Sequence, residues 1–419
     1  MFEPYFDFPK TLLAEDAATM AQIAPALADI DRVKERNQLR MLRAFIDCRV
    51  AANHLVGTTG YGYGDAGREK LEQVFAAVCG CEAALFRHQF MSGTHALTVA
   101  LFGLLRPGDV MLCASGTPYD SLHGVLGLGE NRGHGSLAEF GVGYRQLELA
   151  DDRPDLAAIA KAAPHCRLLY LQRSRGYAAR AALTLADIEA AAGAARQHNP
   201  DIIVMVDNCY GEFVCEREPT ACGADIIAGS LIKNPGGGIA PCGGYIAGRA
   251  ALVQQCAHRF SAPGIAAEVG CTPGDVLRQL FLGLYFAPGV TAEAMKLGVY
   301  ASALFSRLGF ATAPAWNAAR GDIITSIDTG SAEGLCALCR AVQGASPIDS
   351  FVTPEPWPMP GYDCDVIMAA GAFTQGSSIE LSCDAPLRAP YTAYLQGALN
   401  FAAGRAAVLH SATALLGGA

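Results

Sequence analysis

The run Ile202-Ile-Val-Met-Val206 is apolar throughout and ends on a single carboxylate, Asp207. A strand with no polar face must be covered on both sides, which is the condition of an inner strand in a parallel sheet. Comparable runs occur at 83–88, 109–113, 168–172 and 225–228, and helical patterns alternate with them up to about residue 247. That alternation predicts an α/β fold built on a mainly parallel sheet. It also sets polar residues at strand ends, where open α/β sheets bind ligands. Asp207 is one of them, and a carboxylate there is costly unless paired, for example with a cationic ring nitrogen.

Lys233 is another. It follows the strand-like run 225–228 and leads into Gly236, Gly237 and Gly238, which let the backbone approach a ligand closely. A lysine desolvated in this way is expected to be a neutral amine, the form that attacks a carbonyl to make a Schiff base. The alternative is a strand-end lysine whose ammonium snorkels to water. Upstream, strand 83–88 passes through Phe90-Met-Ser-Gly-Thr-His-Ala96 into a helix predicted over 96–105. Free amide N–H groups at a helix start bind anions, so Ser92, Gly93 and Thr94 suit a phosphate. Serine and threonine are also ordinary N-caps. Tyr119 sits in a loop where its ring can stack on a planar ligand. Arg173 and Arg175 follow strand 168–172, and arginine pairs well with carboxylates. In the loop 58–67, glycines alternate with Tyr61 and Tyr63, whose hydroxyls can meet a polar ligand.

Among the 419 residues, 51% are hydrophobic and 17% charged, which fits a large packed interior rather than disorder. The net charge is −9 with no basic run, which argues against nucleic acid or an anionic membrane surface as partner. The fifteen cysteines are scattered and odd in number, and they read as reduced thiols of a cytoplasmic protein. No basic-then-apolar leader is apparent at Met1-Phe-Glu-Pro-Tyr5, and no apolar run is long enough to span a bilayer. Cys336 and Cys339 have metal-ligand spacing but lie in a helical pattern with no second pair, so no metal is expected.

Residues 1–60 are expected to form a helical arm, packed on the body or on a partner subunit, and residues 61–275 a large domain. The pattern then changes, and residues 276–419 read as a smaller α+β domain. Its predicted helices cover 292–308, 333–342 and 392–416, and its predicted strands 322–327, 366–370 and 378–381. The segment 351–360 carries four prolines and must be extended or turn-like.

A strand-end Asp207, a strand-end Lys233, an anion-binding turn near Gly93 and a tyrosine at 119 resemble the fold-type I enzymes that use pyridoxal 5′-phosphate (PLP). Within them the chain looks most like the methionine γ-lyase-like group labelled aluminium-resistance proteins or carbon–sulfur lyases. The match runs in order through Thr59–Tyr63, Gly93–Ala96, Pro118–Asp120, Gln172–Tyr177, Val206–Asn208, Gly229–Gly238, Pro354–Pro356, Met359–Tyr362 and Gln375–Ser382. It implies a seven-stranded-type, mainly parallel sheet in the large domain. It implies that Lys233 holds PLP, that Asp207 pairs with the ring nitrogen, and that Gly93, Thr94 and Ser230 bind the phosphate. Tyr119 would stack on the ring and act as a general acid. Tyr61 or Tyr63 would reach the cofactor of a neighbouring subunit in a homodimer or homotetramer. The implied reaction is β- or γ-elimination on a small sulfur amino acid such as cystathionine, cysteine or methionine, giving a thiol, ammonia and a 2-oxo acid. Transamination, racemisation or aldol cleavage, or a PLP-binding protein with little turnover, are the alternatives.

Three positions depart from the better-known relatives. The crossing loop lacks their arginine, and Arg68 is the candidate replacement. Ile232 stands where a hydroxyl residue precedes the lysine. Glu380 precedes Leu381-Ser382 where the relatives carry the arginine for the substrate α-carboxylate. A glutamate cannot bind a carboxylate, so either Arg388, Arg173 or Arg175 does so, or the polar end of the substrate is not a simple carboxylate.

Overall fold

The structure is a computed structural model that describes residues 2–129, 133–359 and 364–417. In chain order the first part contains α1 (Lys10–Asp47), α2 (Ala66–Cys79), β1 (Ala83–Arg87), α3 (Gly93–Leu104), β2 (Val110–Cys113), α4 (Asp120–Leu126) and β3 (Gly143–Gln146). A small hairpin follows, β4 (Leu149–Ala150) and β5 (Arg153–Pro154), then α5 (Leu156–Ala162), β6 (Leu168–Gln172), α6 (Leu185–His198), β7 (Ile203–Asp207) and β8 (Ile226–Ser230). Next come β9 (Gly244–Gly248), α7 (Ala250–Phe260) and α8 (Val276–Arg307).

These strands form a seven-stranded sheet in the order β1-β9-β8-β7-β6-β2-β3. The pairs β7–β8, β6–β7, β2–β6 and β2–β3 are parallel, as the sequence predicts. The edge is not: β9 pairs antiparallel with both β8 and β1. Its sequence, Gly-Tyr-Ile-Ala-Gly, carries too little strand character to be read alone. Alternate side chains on each strand feed opposite faces. Leu169, Leu171, Val204, Val206 and Ile227 join α2 and α6 on one face, while Leu168, Tyr170, Ile203, Met205 and Ile226 join α3 and α7 on the other. A buried parallel strand therefore has no polar position until its last residue, and that residue is Asp207.

The C-terminal part contains β10 (Ala311–Ala313), β11 (Thr325–Asp328), α9 (Ala332–Gly344), β12 (Trp357–Pro358), β13 (Asp365–Ala369), β14 (Ser382–Pro386), β15 (Thr392–Gln396) and α10 (Phe401–Leu415). Its six strands form a second, antiparallel sheet. Two sequence readings fail here. Residues 378–381 are not a strand, and β14 begins at Ser382. Residues 392–396 are not helical: they pair with β11 and β14, and the helix starts only after its Asn400 cap. The alanine-rich α10 had lent its periodicity to the strand before it. The helix predicted over 292–308 is the second half of α8, whose first half is obscured in the sequence by Pro288 and the nearby glycines. In the proline-rich segment only Trp357–Pro358 pairs, with β13, and Pro360 lies outside the described residues.

Residues 10–47 form a layer on the chain's own body. Helix α1 lies along α8, and both feed two cores. In α1, Leu12 and Ile23 pack in the C-terminal core, and Met41 and Ala44 pack beneath the large sheet. In α8, Leu277–Ala287 serves the large sheet and Leu297–Phe305 the C-terminal core. The expected division at 275/276 thus falls at the start of a helix shared by both parts. Asp16 ties α1 to Tyr300 and Arg405, and Asn37 donates to the carbonyls of Phe213 and Cys215 at 3.0 Å each. Among the described residues no helix is long and apolar enough to cross a membrane.

Candidate active site

The ends of β7 and β8, the start of α3 and the strands β14 and β15 enclose a cleft of about 590 Å³. Lys233 lies just beyond β8, ahead of a short 3-10 turn over Asn234–Gly236. Its Nζ sits 4.1 Å from the centroid of the Tyr210 ring. Burial alone would lower the pKa of this ammonium, yet Cys209, Tyr210, Asp207 and Glu212 around it raise it above the usual lysine range. In the cofactor-free protein the expectation of a neutral amine is not met: burial disfavours the ammonium, but the acidic groups beside it outweigh that effect. Asp207 is buried, and its carboxylate accepts from the Cys209 N–H at 3.1 Å and the Tyr170 hydroxyl at 3.2 Å. Burial pushes its carboxyl up, while the Cys209 N–H and Lys233 pull it down.

Helix α3 begins at Gly93, three residues earlier than predicted, with Ser92 as N-cap. The Ser92 hydroxyl accepts from the His95 N–H at 3.1 Å, and Thr94 donates to Ser121 at 3.1 Å. By helix geometry the Gly93 and Thr94 N–H groups have no intrahelical acceptor. Ser230, at the end of β8, faces them: a Cβ on Gly93 would lie 3.1 Å from the Ser230 Cβ. The turn and the strand end therefore form one anion cradle. Tyr119 caps α4 and its ring packs on Gly176, where any Cβ would lie 2.3 Å from the ring. Its buried hydroxyl has no hydrogen-bond partner. Burial, then Tyr210 and Asp207, hold its pKa far above the ordinary tyrosine value, so the hydroxyl keeps its proton.

The sequence profile of the methionine gamma-lyase family matches residues 13–416. The chain belongs to this family. Among relatives of this methionine γ-lyase family member, the uncharacterized protein YnbB of Bacillus subtilis is 44% identical over 398 residues, 94% of each chain. A solved carbon–sulfur lyase involved in aluminum resistance from Clostridium novyi is 45% identical and superposes with a TM-score of 0.93, covering 97% of this chain and 96% of the other. The L-methionine gamma-lyase of Pseudomonas putida is 32% identical over 185 residues, covering 44% of this chain and 41% of its own. The α/β architecture is the fold-type I fold of PLP-dependent enzymes, with a C-terminal sheet domain.

Of the residues that sequence reasoning singled out in this family member, Ser92, Gly93, Thr94, Tyr119, Asp207, Ser230 and Lys233 all line the cleft. The arginines do not. Arg173 is fully buried and donates to Asn208 Oδ1 at 2.8 Å and the Gly211 carbonyl at 2.7 Å, so it braces the β7 end instead of facing a substrate. Arg175 and Arg388 line a neighbouring cleft. Arg68 is buried and donates to the carbonyls of Gly62 and Gly270, which fixes the glycine–tyrosine loop. Tyr61 and Tyr63 stand on that loop, 76% and 65% exposed. Ile232 lines the cleft where the hydroxyl was missed. Glu380 is buried and accepts from the N–H groups of Phe373 and Thr374 at 2.8 and 2.9 Å, so it pins a loop.

The sequence reading gave no site role to Tyr177 and Ser382, which stood only within matching motifs, and passed over Asp384 and Gln396; all four line the cleft. Antiparallel register brings three of them together: Ser382 lies opposite Gln396, and Asp384 opposite Tyr394. Among the described residues no cluster of His, Cys, Asp and Glu could hold a metal ion.

Proposed function

We propose that this protein is a PLP-dependent carbon–sulfur lyase acting on a small sulfur-containing amino acid by β- or γ-elimination. One observation supports it most: a primary amine, a buried carboxylate and a helix-start anion cradle converge in a single cleft of a methionine γ-lyase family member. The residues fit the cofactor. The cradle of Gly93, Thr94 and Ser230 suits its phosphate, and Gly93 is small enough to bring backbone N–H groups close. Lys233 would hold its aldehyde carbon covalently, and Asp207 would pair with its ring nitrogen, a cationic partner for a carboxylate whose burial is otherwise costly. When bound, PLP supplies an electron sink for the pair left by loss of the substrate α-proton.

The chain's own groups move the protons. Once released by the substrate amine, Lys233 takes the α-proton, and Asp207 keeps the ring nitrogen protonated. Tyr119, whose hydroxyl has no partner in the protein, donates to the departing sulfur. With one water consumed in releasing the nitrogen, the products are a thiol, ammonia and a 2-oxo acid. Tyr61 and Tyr63, exposed on a loop braced by Arg68, would reach the phosphate site of a neighbouring copy in a homodimer or homotetramer. A cytoplasmic location accords with buried cysteines such as Cys79, Cys113 and Cys256 that stay reduced.

The test is the visible absorbance of the purified protein, beside a Lys233→Ala variant and with borohydride trapping. A yellow band trapped at Lys233, together with 2-oxo acid from cystathionine, cysteine or methionine, is the expected result. A protein that stays colourless with added PLP removes the proposal. A yellow protein that yields no 2-oxo acid retains the cofactor and removes the lyase.

A further inference from the structure

We propose that the wall of the cleft built by β14 and β15 binds a protonated nitrogen of the substrate, so that the preferred substrates carry a second, cationic amino group. This inference rests on the lyase site described above and names its substrate class. Ser382, Asp384 and Gln396 are 5%, 4% and 3% exposed, and each keeps one side-chain oxygen without a hydrogen-bond partner: Ser382 Oγ, Asp384 Oδ1 and Gln396 Oε1. Buried polar atoms of folded proteins are nearly always paired, so orphans gathered on one wall of a cleft mark a ligand. Their polarity is fixed by what they already do. Gln396 Nε2 donates to Asp384 Oδ2 at 2.8 Å, and Tyr177 donates to the same oxygen. The amide can donate to a carboxylate only through its nitrogen, which leaves its oxygen as the open group. The wall therefore presents a carboxylate oxygen, an amide oxygen and a hydroxyl, and it asks for a donor.

A carboxylate is the wrong guest here. It would meet Asp384 as a like charge in a desolvated site. No arginine lines this cleft among the described residues, and Glu380 is engaged with two backbone N–H groups. Lys233 is committed to the cofactor. A substrate ammonium would satisfy all three orphans with its three N–H bonds. Burial raises the pKa of Asp384 against the pull of Tyr177, Gln396 and Lys233, and a bound cation would stabilise its ionised form.

The experiment titrates the PLP-loaded protein by calorimetry with three five-carbon amino acids that differ only at the far end: ornithine, norvaline and glutamate. Binding, not turnover, is the readout. Ornithine is expected to bind roughly tenfold tighter than norvaline, with glutamate weakest. Asp384→Asn keeps an oxygen for Tyr177 and Gln396 and should bring ornithine to within about twofold of norvaline. Ser382→Ala removes a hydroxyl with no partner in the protein, so it preserves the fold and should weaken ornithine by about threefold. Equal binding of the three ligands, no binding of ornithine, or an ornithine preference that survives both substitutions overturns the assignment. If norvaline and glutamate bind while ornithine has no advantage, the lyase reading stands alone. If no amino acid of any kind binds the loaded protein, both fall.

Discussion

Two clefts of nearly equal size lie side by side, about 590 Å³ at Lys233 and about 600 Å³ at Arg175, Arg320 and Arg388, and Tyr177 lines both. By charge alone the arginine cleft is the better anion site. Three of its guanidinium groups are already engaged, however. Arg175 donates to the carbonyls of Ala313 and Ala178, Arg180 to those of Ala181, Gln172 and Ser174, and Arg320 to Gly298 and to Thr325. In the lysine cleft the hydroxyl of Tyr119 and the open oxygens of Ser382, Asp384 and Gln396 have nothing to bond. The arginine cleft has unpartnered atoms too, Arg180 Nε and Arg320 Nε, but they are donors on guanidinium groups already held by carbonyls, whereas those of the lysine cleft include oxygens of three side chains on one wall.

The sharpest attempt to break this contrast is Lys233→Ala. Loss of the amine should abolish borohydride trapping and cut turnover by about 10⁴-fold, read by 2-oxo acid release. Tyr119→Phe should lower kcat by about 10²-fold while leaving the thermal midpoint unchanged, because no protein bond is lost. A drop in stability without a drop in kcat would move Tyr119 from the chemistry to the scaffold. In the other cleft, Arg320→Met should do the reverse. It removes the Arg320 bonds to the Gly298 and Ile324 carbonyls and to the Thr325 hydroxyl, while that hydroxyl still donates to Gly298, and should cost about 1 kcal/mol of stability by denaturant unfolding, with kcat/KM within about twofold of the parent.

The smallest effect concerns Glu212, buried near Lys233. Burial pushes its carboxyl from 4.5 up to about 8, and it accepts from the Tyr245 hydroxyl at 2.8 Å. The folded chain therefore holds this proton more tightly than the unfolded chain. Its contribution is present below pH 4.5 and is lost as pH rises toward about 8. The cofactor-free protein should lose thermal stability across that window, and Glu212→Gln should flatten the fall. An unchanged profile would show that Lys233 keeps Glu212 ionised throughout.

Lys233 and Asp207 were legible because a parallel strand buried on both faces tolerates polarity only at its end. The cradle at Gly93 was legible because strand, small polar turn and helix start are contiguous in the chain. The β14–β15 wall was not. Ser382, Asp384 and Gln396 meet only through antiparallel register, and half of that pairing, residues 392–396, carried a helical pattern borrowed from α10. The arginines misled for a related reason. Sequence shows a charge at a strand end, but not the carbonyls of Ala313 or Gly211 that arrive from elsewhere to take it.

Helices α1 and α8 each run unbroken from one core to the other. Neither sheet can come apart without stripping the side of a helix that the other still needs. Heat or denaturant should therefore take both sheets in one cooperative step, and loss of the cleft should report the loss of the whole molecule.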